Sequence, residues 1–172
     1  KNSFPSLVEN HIDKNQYDYK IVFTEYAGHA TELTMKAIDD EYDFIAAVGG
    51  DGTINYVVNG IMHKSLKPLI GIIPAGTAND FAGALGMSKN YAKAARQIVE
   101  GESEEIDCGK VEYINRNEDR DRYFVNIFSF GIFTTTSQKT PEQLKHRIGK
   151  MAYVVAAFKE LRNIHGIPLT IT

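Results

Sequence analysis

The segment Val48-Gly49-Gly50-Asp51-Gly52-Thr53 joins an apolar run to a helical pattern. Glycines at such a junction let the backbone turn with positive φ and let a ligand approach where a Cβ would stand. A helix beginning at Thr53 presents unpaired N–H groups and the positive end of its dipole, which suits a phosphate. No Lys opens that helix, so the segment is not G-x-x-x-x-G-K-[ST]. Asn55 stands where G-x-G-x-x-G needs its third glycine. An aspartate inside a phosphate-binding turn repels the phosphates by itself. Asp51 makes sense beside a cation such as Mg²⁺, or as the group that handles the proton of an attacking hydroxyl. The structural alternative is that Asp51 caps a helix through an N–H bond.

A second segment of the same grammar follows, Ile73-Pro74-Ala75-Gly76-Thr77-Ala78-Asn79-Asp80-Phe81-Ala82. Thr77 offers a hydroxyl to phosphate. Asn79 and Asp80 place polar groups in the first helical turn, where either one alone reads as a cap. Neighbouring strands lie roughly 5 Å apart, so Asp51 and Asp80 are expected to face one polyphosphate site. Upstream, Thr24-Glu25-Tyr26-Ala27-Gly28-His29-Ala30 ends an earlier apolar run. Thr24 is a candidate nucleotide contact. His29 opens the following helix, with ligand, capping and packing roles all open.

The elements that must position these residues alternate in type. Residues 19–23, 43–48 and 68–73 are short apolar runs expected to be strands. Residues 29–40, 53–63, 79–86 and 91–100 carry helical spacing, with Gly101 as the last helix's C-cap. Near-continuous apolar strands alternating with helices predict an α/β fold, a parallel sheet covered by helices on both sides. The pattern changes near Ile106. Residues 106–114 and 122–130 read as a hairpin around a charged loop at 115–121. Beyond it, Thr140 and Pro141 open a helix, residues 151–164 form an amphipathic helix, and 167–172 begin a strand. Domain boundaries are expected at 1–105, a nucleotide-binding catalytic domain, and 106–172, the opening of a β-rich second domain.

The whole composition narrows the class. In 172 residues, 43% are hydrophobic, enough for a packed core, and the formal net charge of −3 argues against a nucleic-acid partner. A single cysteine, Cys108, excludes an internal disulfide framework and fits a cytoplasmic setting. No apolar run reaches the ~18–20 residues that span a bilayer, and no signal peptide is visible. The chain begins with Lys1, so it is expected to be trimmed, with pieces missing at both ends.

Taken together, these motifs resemble the catalytic domain of the bacterial diacylglycerol kinase and lipid kinase family. That family is related to sphingosine kinases and, more distantly, to NAD kinases and phosphofructokinases. The resemblance rests on Gly49-Gly50-Asp51-Gly52-Thr53-x-Asn55, on Pro74 to Ala82, on Thr24-Glu25-x-x-Gly28-His29-Ala30, and on later matches at 106–111, 128–131 and 148–153. Gly-Gly-Asp-Gly is common to all these relatives; Gly-Thr-Ala-Asn-Asp-Phe is the part that points to lipid kinases.

The resemblance implies a two-domain enzyme with ATP in the cleft between its domains and a β-sandwich as the second domain. It implies that Thr24, Gly49, Gly50, Asp51, Gly52, Thr53, Ile54, Asn55 and Thr77 line the nucleotide site. Asp51 and Asp80 would belong to the catalytic, Mg²⁺-linked network. The family's opening Asn-Pro-x-Ser-Gly-type loop has no counterpart here, and its general base and structural metal ligands would lie past residue 172. The expectation is therefore a fragment that binds nucleotide weakly and is inactive alone. A homodimer stays open, since dimers are common in the resembled family.

The expected reaction is in-line transfer of the ATP γ-phosphoryl group to a lipid hydroxyl, where positioning and charge neutralisation dominate. An aspartate is a weak base at neutral pH; Asp51 is thus read as orienting the hydroxyl or a metal-bound water. Lys139, Lys145, His146, Arg147 and Lys150 form a basic cluster that reads as a solvated helix face or as a contact with anionic headgroups at the inner membrane surface. Two other readings remain: an NAD kinase-like enzyme with a soluble substrate, against which Thr77 to Phe81 argues, and a non-catalytic nucleotide-binding regulatory module, against which Asp51 and Asp80 argue.

Overall fold

The computed structural model describes residues 5–6, 12, 15–115 and 118–128 of the chain. The chain divides into two compact units, Lys1–Asn126 and Ile127–Thr172. Of the second unit only Ile127 and Phe128 are described. The helices expected at 141 and at 151–164, the strand at 167–172 and the basic cluster lie outside the described residues.

In the first unit, helix α1 (His29–Asp39) buries Ala30, Thr34 and Ile38, one residue per turn. It enters from Gly28, whose φ of 92° is open to glycine and strained for most other residues. It ends in paired bonds from Glu41 N–H to Ile38 O (3.0 Å) and from Tyr42 N–H to Ala37 O (3.0 Å). That is a left-handed helix stop, with Glu41 at φ 61° where glycine is usual. Left-handed backbone costs a non-glycine residue roughly 1–2 kcal/mol, and glycine gives part of that back as unfolded-chain entropy. Glu41→Gly should therefore raise stability by about 0.5–1 kcal/mol, seen as a higher urea midpoint.

Strand β1 (Phe44–Gly49), helix α2 (Asp51–Met62) and strand β2 (Leu69–Pro74) form a strand–helix–strand unit. The strands pair in parallel from Phe44↔Leu69 to Gly49↔Pro74. Alternating side chains serve both faces of the sheet. Ala47 and Ile72 join Ile54, Val57, Val58 and Ile61 of α2 and Ile38 of α1 in one core. Ile73 and Val48 point the other way, to Ala94 and Ala95 of helix α4 (Tyr91–Glu100). The result is a three-layer α/β arrangement with helices on both faces of a parallel sheet. The helices α1 and α2 meet closely at Gly60, where a Cβ would fall within 3.0 Å of Thr34 Cβ and Thr31 O.

Between β2 and α4 lies a single short turn of helix, α3 (Asp80–Ala84). It is shorter than the expected 79–86 because Gly86, at φ 69°, reverses the chain and Met87 N–H closes onto Ala82 O at 2.9 Å. Helix α4 matches its expected bounds. Asn90 caps it by accepting Lys93 N–H at 3.0 Å, and Gly101 closes it in extended geometry (φ −79°) rather than left-handed.

Strands β3 (Gly109–Asn115) and β4 (Glu118–Phe124) form an antiparallel hairpin in register Gly109↔Phe124 to Asn115↔Glu118. The hairpin was expected, but its turn is tighter: most of the charged stretch 115–121 is strand. Opposite charges make that possible on an exposed ribbon, through Arg120–Glu118, Lys110–Glu112 and a cross-strand Lys110–Asp121 pair at 3.4 Å. The hairpin belongs to the first unit and packs on α2 through Asn59. Residues 19–23 form no strand. A strand exists through a hydrogen-bonded neighbour, and among the described residues this run joins neither sheet, with Val22 and Phe23 about half exposed (49% and 49%). No helix among the described residues is long and apolar enough to cross a membrane.

Candidate active site

The parallel register sets the site. Gly49 lies opposite Pro74 at the carboxyl ends of β1 and β2, so both glycine turns leave the same edge of the sheet. Ala75 N–H extends the ladder onto Gly49 O at 2.9 Å. Beyond that point no side chain separates the turns. A Cβ on Gly76 would fall within 3.0 Å of the Gly50 Cα, and one on Gly50 would sit 3.1 Å from the Gly76 Cα. The two turns pack backbone against backbone, which requires glycine at position 76 and leaves a tight fit for any side chain at 50.

In the first turn, Thr53 folds its side chain back over Gly49, where a Cβ would collide with Thr53 Oγ1. The Thr53 and Ile54 N–H groups donate to Gly50 O at 2.9 and 3.1 Å. That places the N–H groups of Asp51 and Gly52, the first two residues of α2, at the open helix end. A Cβ on Gly52 would meet nothing within 4 Å. Ile54 is 1% exposed, so its side chain belongs to the core. Asn55 is half-buried, and its carbonyl accepts Asn59 Nδ2–H at 2.7 Å.

In the second turn, Asn79 sits at φ 54° and turns its amide back on Gly76. Gly76 N–H donates to Asn79 Oδ1 (2.8 Å), and Asn79 Nδ2 donates to Gly76 O (2.8 Å). Asp51 bridges the turns: its Oδ2 accepts Asp80 N–H at 3.2 Å and its Oδ1 accepts Phe81 N–H at 2.9 Å. Gly49, Gly50, Asp51, Thr53, Gly76, Asn79 and Asp80 are thereby gathered at one edge. Thr77 is exposed on the same turn, and Asp80 is exposed at the start of α3.

Thr24 is not among the residues these contacts join; it lies exposed in the segment ahead of α1. That segment is held by Glu25 N–H donating to His29 Nδ1 at 3.2 Å and by Tyr26 stacked on His29 with centroids 4.4 Å apart. Tyr26 Oη donates to Glu32 at 2.6 Å, a bond that pushes the phenol upward from its ordinary range. His29 is thus engaged in ordering the helix entry. Burial pushes the Cys108 thiol up, which makes it a poor nucleophile at neutral pH.

One residue escaped sequence reading. Asn59 is 7% exposed in the middle of the apolar stripe of α2. Its Nδ2 donates to Tyr123 O at 2.9 Å and its Oδ1 accepts Tyr123 N–H at 3.0 Å, so one side-chain amide pairs with β4 as a neighbouring strand would. The only signal was an amide among Val57, Val58 and Ile61.

The family profile described as the diacylglycerol kinase catalytic domain matches residues 1–111. Proteins named diacylglycerol kinase from Staphylococcus aureus strains JH9 and Newman are 38% identical over 160 residues, covering 93% of this chain and 48% of theirs. The chain spans about half the length of the curated relatives it matches. A crystal structure of a diacylglycerol kinase from Bacillus anthracis str. Sterne superposes with a TM-score of 0.54 at 26% identity, over 67% of this chain and 42% of that one. Another chain from the same organism reaches 0.66 at 23% identity, over 94% and 50%, a likeness that shows the fold. With well over half its length matched by the family profile, the chain belongs to the diacylglycerol kinase catalytic domain family.

Proposed function

We propose that this chain is the nucleotide-binding portion of an ATP-dependent lipid kinase, which transfers a phosphoryl group to the hydroxyl of diacylglycerol or a related lipid. The observation that carries this reading is the convergence of two glycine turns on one sheet edge, joined by Asp51. ATP, when bound, supplies the γ-phosphoryl group.

The polyphosphate suits the open end of α2. Asp51 and Gly52 present N–H groups there, and the helix dipole favours negative charge. The space beside Gly52 admits a phosphate where a side chain would intrude. Thr77 lies within the second turn, where its hydroxyl can donate to a phosphate oxygen. Asp80 brings a carboxylate to the same edge. Among the described residues no three His, Cys, Asp or Glu side chains converge to hold a metal ion. A Mg²⁺ would therefore depend mainly on phosphate oxygens, with Asp80 as the acidic side chain placed to orient it or its water. Its contribution would be to offset charge on the transferred group. A lipid acceptor requires peripheral contact with a membrane surface, and the cytoplasmic face, where ATP is available, suits it.

The test is mass-spectrometric identification of the product formed by the full-length enzyme from ATP, Mg²⁺ and total cellular lipid. A new phosphomonoester of a lipid hydroxyl is the expected result. Phosphorylation of NAD instead, or no transfer to any lipid, would remove the lipid kinase reading.

A further inference from the structure

We infer that Gln97 is a positioning residue: from the last turn of α4 its side-chain amide ties down the exit of α3, and so holds the second glycine turn at the sheet edge from behind. The consequence for turnover rests on the kinase reading above; the tie itself does not.

The case begins with the length of α3. Its five residues make little more than one turn. A first turn fixes several backbone angles for a single hydrogen bond, so a helix this short has no stability of its own. It must be held from outside. At its start the Asp51 carboxylate receives the Asp80 and Phe81 N–H groups. In its body Phe81 and Ala82 are buried. At its exit the chain reverses through Gly86, with bonds from Leu85 N–H to Phe81 O (3.2 Å), from Gly86 N–H to Gly83 O (3.1 Å) and from Met87 N–H to Ala82 O (2.9 Å). These exit bonds are all local, and none joins the loop to another element.

Gln97 makes that join. Its Nε2 donates to Gly86 O at 3.1 Å, and its Oε1 accepts Ser88 N–H at 2.8 Å. The two bonds straddle Met87, so one amide pairs with the backbone on either side of it. Met87 packs against both hydrophobic cores, one on each face of the sheet. The tie therefore fixes the residue at which the two cores meet.

Gln97 can serve as an anchor because its helix is itself fixed. Ala94 and Ala95 are buried against Ile73 of β2, the strand that leads into the second turn. The chain from β2 through the second turn, α3 and the exit loop thus returns to β2 by way of Gln97 and α4. Thr77, proposed above as a phosphate donor, lies on that closed circuit. Releasing Gln97 opens the circuit at the point farthest from the sheet, where α3 can unwind from its exit.

Methionine is the discriminating substitution, since it keeps the length and the helix propensity of glutamine and removes only the amide. In Gln97→Met, backbone hydrogen exchange at Ser88 and Met87 should accelerate about tenfold or more, the amides of α2 keeping their wild-type rates. In the full-length enzyme, well below its unfolding midpoint, Gln97→Met should lower kcat about tenfold with KM for the lipid unchanged. Gln97→Glu keeps an acceptor of the same reach for Ser88 N–H and gives up the donor to Gly86 O. It should return slow exchange at Ser88 and part of the kcat.

Unchanged exchange at Ser88 in Gln97→Met overturns the tie. Faster exchange at Ser88 with Met87 and kcat both as in wild type overturns the positioning role, because the bond would then order its own loop and nothing beyond. Should Gln97→Met fail to fold, a Gln97→Glu enzyme with slow Ser88 exchange and no more activity than Gln97→Ala overturns it equally. An enzyme that phosphorylates no lipid removes the kinase reading, while exchange at Ser88 and Met87 still decides whether Gln97 holds α3.

Discussion

Gly76→Ala is expected to lower turnover of the full-length enzyme by about 100-fold, the scale set by misplacing catalytic groups by about 1 Å. The added methyl would fall within 3.0 Å of the Gly50 Cα, close to Gly50 N, and 2.9 Å from Asn79 Oδ1. The neighbours are backbone and a side chain bonded at both ends, so nothing flexible can yield. The turns must separate, which lengthens the bonds from Asp51 to the Asp80 and Phe81 N–H groups. Overpacking of this kind typically costs about 1–3 kcal/mol of stability, a modest loss beside the kinetic one. Steady-state kinetics together with a urea unfolding curve would separate the two. Wild-type turnover in a folded Gly76→Ala enzyme would mean that the contact between the turns is dispensable. Gly52→Ala is the natural control for folding, because its Cβ meets open space.

The largest effect on stability is expected at Asn59. In Asn59→Leu the side chain stays similar in size but becomes apolar, so Tyr123 loses the partners of both its N–H and its C=O. Leaving a buried polar group unpaired costs about 1–3 kcal/mol, so the variant should be destabilised by about 2–4 kcal/mol. The check is the urea midpoint at constant slope. Asn59→Asp tests the donor separately: it can still accept Tyr123 N–H but sets a carboxylate oxygen against the carbonyls of Tyr123 and Asn55. It should fall in the same range. Stability equal to wild type in both variants would show that the hairpin needs no clamp from α2.

Much of the fold was legible because its elements obey local rules. The stripe Ile54, Val57, Val58 and Ile61 has helical period, and 91–100 is bracketed by Asn90 and Gly101, so both helices could be read directly. Parallel pairing of the runs near 44–49 and 69–74 followed from their apolar character, and with it the convergence of the two turns. What escaped reading depends on partners distant in the chain. Residues 19–23 are β-branched and apolar, yet strand structure needs a ladder neighbour. The charged segment 115–121 looked like a loop because the ion pairs that make it strand-competent are visible only once Lys110 and Asp121 face one another. Asn59 and Tyr123 are 64 residues apart, and nothing local announces their bond. At the site, the residue types were readable and the wiring was not: Asp51 was read beside a cation or a hydroxyl, with a cap on its own helix as the alternative, and neither reading showed its bonds to α3.

The backbone contact between Gly50 and Gly76, the ladder bond from Ala75 to Gly49 and the Asp51 bridge leave no hinge between the two bends. They form one solid jaw, about as deformable as the sheet that carries it. Any opening of this sheet edge must therefore swing at some other joint, with the two bends moving as a single piece.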